Sequence, residues 1–216
     1  KEVVLKIAAK HDSAMGAGVL LKELSGLGLA TPAGLSIFNA GRPKPSPVVR
    51  LFSTLVPKDS VPITIDLGEG PTAFEASSTD GEAPSPDAHT PPPGEETPDT
   101  EVPLVRLAWA RSGDKGNKAN VGVIARDDRF MPYIWAALSD ETLAARFGHF
   151  IEGGDKQAKI HRFYLPGLPA MNVLIDDVLG GGGVASLRND AQGKAFGQIL
   201  LDMNIPVPTS LVKDLS

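Results

Sequence analysis

The sequence predicts an α+β protein in two folded parts, and three observations carry that reading. Residues 77–101 hold six prolines and seven acids with no Lys or Arg. On both sides of this stretch, apolar residues recur with the strand period in some segments and the helix period in others. Each flank is long enough to be a small domain or a large piece of one, since domains cluster near roughly 100 to 150 residues.

Composition narrows the class. The chain has no Cys, which excludes disulfides, thiolate zinc sites and cysteine nucleophiles and fits a reducing, cytoplasmic setting. Its apolar runs, residues 19–21 among them, fall far below the roughly 20 residues of a bilayer span, so no membrane partner is expected. The net charge of −5 belongs to residues 77–101; the remainder carries 21 basic against 19 acidic residues. With those basic residues dispersed, nucleic acid is not an expected partner. The chain enters at once into Val3-Val-Leu-Lys-Ile7, without the tripartite pattern of a signal peptide, and reads as cut from a longer protein.

Taken in order, residues 1–10 alternate loosely and are rich in Val, Leu and Ile, which predicts a strand. Asp12 or Ser13 then caps a helix whose Met15, Val19, Leu20, Leu24 and Leu27 share helical spacing. Its four glycines each cost about 1 kcal/mol relative to Ala, so close approach of another backbone is expected to hold it. Residues 30–47 carry too much Gly and Pro for a helix or a central strand. Residues 48–55 and 61–67 predict two more strands, the second starting or edged at Pro62, and the result is a β-α-β-β fragment of a larger domain spanning residues 1–76. Residues 77–101 cannot bury enough apolar area to offset ordering, and predict a disordered linker.

The second unit, residues 102–216, opens with a strand to Arg111 that delivers the stretch Arg111-Ser-Gly-Asp-Lys-Gly-Asn-Lys-Ala-Asn120. Residues 119–125 favour a strand, with a helix start still open. Residues 131–150 predict helix, parted at Ser139 by a Ser-Asp-Glu cap. Residues 158–165 read as a strand ending at Pro166, and residues 168–179 as a short helix or strand. Gly180-Gly-Gly-Gly183 forces a turn, and Asp190 caps a last helix running to Met203 and ended by Pro206 and Pro208. Two β-α-β halves of this kind make a ferredoxin-like α/β sandwich.

Two glycine-bearing polar stretches are the candidate site. In the first, Ser112, Asp114, Lys115, Gly116, Asn117 and Asn120 fit either an anion cradle, in which glycines let backbone N–H groups converge, or a tight turn. It lacks the GxxxxGK[ST] spacing of a phosphate-hydrolysing loop, as does Gly193-Lys194. In the second, Gly181, Gly182, Ser186 and Arg188 imply a close backbone approach beside a guanidinium suited to carboxylate or phosphate. The four histidines share no ligand spacing, so no metal is expected. His161 alternates with Ile160 on a strand, where a core or rim role stands beside acid–base work as the alternative. Neither Ser112 nor Ser186 lies in a GxSxG elbow, and no catalytic residue is assigned.

The segments Leu107-Ala-Trp-Ala-Arg-Ser-Gly-Asp-Lys-Gly-Asn-Lys-Ala-Asn-Val-Gly-Val-Ile-Ala-Arg126 and Leu179-Gly-Gly-Gly-Gly-Val-Ala-Ser-Leu-Arg-Asn-Asp-Ala-Gln-Gly-Lys194 resemble the C-terminal domain of the acyclic terpene utilisation (AtuA) family. Phe163-Tyr-Leu-Pro-Gly-Leu-Pro-Ala-Met-Asn172 is similar to the segment between them. Residues 1–67, with Gly41-Arg-Pro43 and Leu55-Val-Pro-Lys58, resemble the end of the family's larger N-terminal domain. The resemblance implies a ferredoxin-like C-terminal domain and a part in breakdown of acyclic terpenes as acyl-CoA thioesters. The partners it implies are an acyl-CoA or other anionic metabolite, a second copy of the chain, or a carboxylase of the same pathway; no cofactor follows. The reading that competes with it is a non-catalytic assembly or interaction domain of a metabolic complex.

Overall fold

The computed structural model describes residues 3–30, 33–36, 41, 43–75 and 89–213. Residues 1–50 group with 89–216, while residues 51–88 form a unit of their own.

Alternation builds the central sheet. Along β5 (Lys118–Ala125), Ala119, Val121, Val123 and Ala125 are buried, while the residues between them point to the opposite face. With β4 (Ala108–Lys115), β6 (Ile160–Leu165) and β7 (Ala170–Ile175) it makes a four-stranded antiparallel sheet in the order β4-β5-β7-β6. The strands come as two hairpins, β4-β5 and β6-β7, rather than as two β-α-β halves; the connections within each pair are too short for a crossover helix. The α+β, ferredoxin-like class expected of this unit is the one it has.

Between the hairpins run α3 (Met131–Ala137) and α4 (Asp140–Phe147), preceding α5 (Phe196–Leu201). Their apolar stripes meet the inner sheet face in one core that includes Ile134, Leu143, Phe147, Phe196, Val121 and Val173. Each such side chain contributes about 1.5–3 kcal/mol when fully buried. The break at Ser139 falls where expected, its hydroxyl accepting from Thr142 N at 3.1 Å. Arg162 closes the same junction by donating to the Trp135 and Leu138 carbonyls at 2.9 and 3.2 Å and to Asp140 at 2.6 Å. That places a cation at the C-terminus of α3 and pairs it with an acid in the first turn of α4.

Three details depart from the sequence reading. The strand expected over residues 102–111 breaks into β3 (Thr100–Pro103), one helical turn α2 (Leu104–Leu107), and β4. Leu104 and Leu107 are both fully buried, and their spacing of three puts them on one helical face but on opposite faces of a strand. The helix expected from Asp190 starts later, at Phe196, although Asp190 does cap the turn before it, accepting from Lys194 N and Ala195 N at 2.8 Å each. Pro206 does not end the chain's regular structure; it lies in β8 (Asn204–Val207), which pairs antiparallel with β3. A two-stranded ribbon is all edge, so a proline that cannot donate is tolerated there.

Of the expected linker, residues 77–88 lie outside those described. Residues 89–101 pack on the C-terminal unit: Pro91 is buried, and the Tyr133 hydroxyl donates to the Glu96 carbonyl at 3.0 Å and accepts from Glu96 N at 3.1 Å.

In residues 3–30 the predicted helix forms as α1 (Ala14–Ala30), with Ser13 Oγ accepting from Gly16 N at 3.1 Å. None of its residues is buried, and a Cβ at Gly18 or Gly26 would meet open space, so no backbone approaches there. Residues 3–10 and 48–55 are exposed and unpaired rather than stranded. Apolar alternation is only half of a strand; the other half is a neighbour to receive its hydrogen bonds. In the unit of residues 51–88, the strand expected over 61–67 shrinks to β1 (Thr64–Ile65), paired with β2 (Thr72–Ala73) around Asp66, which accepts from Gly68 N and Gly70 N at 2.8 and 3.2 Å.

Candidate functional site

The stretch 111–120 is a β-hairpin whose strands pair from Ala108↔Ala125 to Lys115↔Lys118. That register leaves Gly116 and Asn117 as a two-residue turn, with Gly116 at φ 67°. Such a turn needs positive φ at its first position, which Gly supplies without strain.

The turn packs against the tetraglycine segment. Asn117 Oδ1 accepts from Gly181 N at 2.8 Å and Leu179 N at 3.3 Å, and its backbone carbonyl accepts from Val178 N at 3.0 Å. Gly182 sits at φ 83°, where an added Cβ would lie 2.7 Å from the Gly116 carbonyl oxygen. Arg188 closes the arrangement by donating to the Val178 carbonyl and, at 2.8 Å, to the Phe150 carbonyl. Ser186 Oγ accepts from Arg188 N at 3.2 Å. Gly116, Asn117, Gly181, Gly182, Ser186 and Arg188 are therefore brought together as a latch whose polar groups largely satisfy one another.

Ser112 is also engaged within the protein. Its buried hydroxyl donates to the Gly193 carbonyl at 2.6 Å and accepts from Gly197 N at 2.8 Å, tying β4 to the start of α5.

Asp114, Lys115 and Asn120 belong to a different place, a cleft of about 440 Å³ bordered also by Arg111, Gly122 and Lys194. Lys115 Nζ donates to the Asp114 carbonyl at 2.9 Å and to Asn120 Oδ1 at 3.2 Å. Asn120 Nδ2 in turn donates to Asn172 Oδ1 at 3.4 Å. Lys194 Nζ stands 3.8 Å from Asp114 Oδ1 with most of its side chain in solvent. Arg111 is exposed, and its guanidinium has no hydrogen bond or ion pair within the described residues. Three cations thus surround one carboxylate, a net positive basin with unengaged donors. Arg111 and Lys194 were not among the residues picked from the sequence. Arg111 is legible in hindsight, because it lies two positions from Trp109 and Gly113 on the strand face turned away from the core.

That outer face continues across the sheet. Register aligns Arg111 with Gly122, Asn172 and Phe163, and Gly113 with Asn120, Leu174 and His161. At one end it exposes Trp109, Ile124, Phe163 and Leu165, with Arg126 stacked on Trp109 at 4.3 Å. At the other end, Asp176 lies 2.9 Å from Lys118 Nζ and 3.2 Å from His161 Nε2. Burial alone would raise the Asp176 carboxyl, but the Lys118 ammonium and the His161 ring outweigh it and hold the group below its usual range.

Among the described residues no cluster of His, Asp and Glu could hold a metal ion, and no helix is long and apolar enough to cross a membrane. No curated protein and no solved structure matches the chain significantly. Residues 102–206 match the family model of the AtuA ferredoxin-like domain. The antiparallel sheet and its helical layer agree with this match, and residues 102–206 form an AtuA ferredoxin-like domain.

Proposed function

We propose that the outer face of this sheet binds an anionic small molecule, an acyl-CoA thioester or a related organic-acid metabolite, in a protein of acyclic terpene or similar acyl-CoA catabolism. The observation that carries this reading is the Arg111 guanidinium, unengaged among the described residues, beside Lys115 and Lys194 in one cleft. A guanidinium free to make a bidentate contact is the group best suited to phosphate or carboxylate. The apolar strip of Ile124, Phe163 and Leu165 on the same face supports a ligand with an apolar body behind its charged end.

Calorimetric titration of the chain with CoA and butanoyl-CoA tests this. Arg111→Ala and Lys194→Ala each weaken binding about tenfold, the value of one charge-assisted hydrogen bond near 1.4 kcal/mol. Equal affinity in wild type and both variants would sink the reading.

A second reading, assembly through this face, is favoured by the exposure of Trp109 at 54% and Phe163 at 50%. Light scattering of the chain and of Trp109→Lys separates the two: a monomer in both cases removes the assembly reading.

A further inference from the structure

The anion cleft leaves one polar group of the face without a task. His161 on β6 holds its Nε2 3.2 Å from Asp176 Oδ2. An ionised carboxylate only accepts, so the ring nitrogen facing it carries the hydrogen, and in the neutral imidazole Nδ1 then holds the lone pair. Nδ1 makes no hydrogen bond among the described residues, and the side chain is 42% exposed on the ligand face. An imidazole fixed in one tautomer by a carboxylate, with the other nitrogen open, is equipped to take a proton. Lys118 Nζ, 2.9 Å from the other Asp176 oxygen, helps to keep that carboxylate charged.

Register also sets the distance to the cleft. His161 pairs with Leu174, and Leu174 with Asn120; two strand spacings of about 4.8 Å put the backbone of His161 roughly 10 Å from that of Asn120. A ligand anchored by its anionic end at Arg111 and Lys194 can therefore extend across the sheet to the imidazole.

We propose that His161 is the acid–base residue of this face, accepting through Nδ1 a proton from the carbon next to the ligand's carbonyl group. This rests on the anion-binding reading above. In the step, the C–H bond breaks, its proton passes to Nδ1, and the electron pair delocalises onto the carbonyl oxygen. Return of a solvent-exchanged proton from the ring restores the ligand, so no other reactant is needed. Asp176 is a positioning residue that sets the tautomer.

The test incubates the full chain with butanoyl-CoA in D2O and follows deuterium at C2 by mass spectrometry, with CoA binding measured calorimetrically in parallel. Wild type takes up deuterium at least ten times faster than the protein-free control. His161→Gln lowers that rate at least tenfold while CoA affinity stays within twofold. Asp176→Asn lowers it several-fold and alters its pH profile, and Asp176→Glu recovers part of the loss. CoA binding without uptake above the control, or equal uptake in His161→Gln, overturns the acid–base role and leaves the binding reading intact. Failure of wild type to bind CoA overturns both.

Discussion

The latch at residues 116–117 and 178–188 and the cleft around Arg111 are made from the same kinds of residue, yet they differ in where their donors point. In the latch, Asn117 and Arg188 satisfy backbone groups that the tetraglycine turn leaves open. In the cleft, Arg111 is exposed and makes no hydrogen bond or ion pair among the described residues. Glycine density marks backbone crowding, and crowding serves tight packing at least as often as it serves ligands. The functional signal is the unengaged donor beside the crowded turn.

Substitutions sharpen the contrast, beginning with the largest effect. Gly182→Ala brings a Cβ to within 2.7 Å of the Gly116 oxygen at φ 83°. It should destabilise the C-terminal unit by about 3 kcal/mol, read as a fall in urea midpoint at unchanged slope. Arg188→Ala strips the Val178 and Phe150 carbonyls of a charged donor, and costs about 2–3 kcal/mol in the same measurement. Asn117→Ala leaves Gly181 N and Leu179 N without their acceptor, a loss of about 1–2 kcal/mol. In the cleft the pattern reverses: Arg111→Ala changes stability by under about 0.5 kcal/mol, as expected of an exposed side chain with no partner. A loss there as large as that of Arg188→Ala would erase the distinction between the two regions.

The smallest effect is in acid. The Asp176 carboxyl is held below the ordinary value of an aspartate in the folded state by Lys118 and His161, against the effect of burial. Its contribution is therefore complete above that value and disappears as pH falls through the folded-state value. Comparing acid-induced unfolding of wild type with Asp176→Asn should show a difference on the order of 0.5 kcal/mol at neutral pH that vanishes at the acid end.

Local chemistry was legible in the sequence, and non-local pairing was legible only in part. The caps at Ser13, Ser139 and Asp190 each require only a few neighbouring residues, and each forms. The strand over residues 160–165 was visible in its period of two, whereas residues 168–179 read equally as helix or strand until their pairing was known. Residues 3–10 carry a similar pattern but are unpaired, since no sequence window states whether a neighbouring strand is present. β8 was hidden because Pro206 reads as a terminator until its partner, β3, is known to form only a two-stranded ribbon. The polar hairpin drew attention from composition alone. The separate duties of Arg188 and Arg111 could not be told apart there, because an arginine's role depends on which carbonyls or solvent its five donors meet.

The ribbon of β3 and β8 carries one more consequence. Thr100 lies opposite Val207 and Pro103 opposite Asn204, so the polypeptide enters and leaves the C-terminal unit side by side. A unit with adjoining ends can be spliced into a host loop or circularly permuted with little disturbance of its interior. Joining residue 213 to residue 89 through a short flexible linker and reopening the chain at the β6-β7 turn, near Gly167, should yield a permutant with the same sheet order. In that form the outer face could be studied free of everything that precedes residue 89.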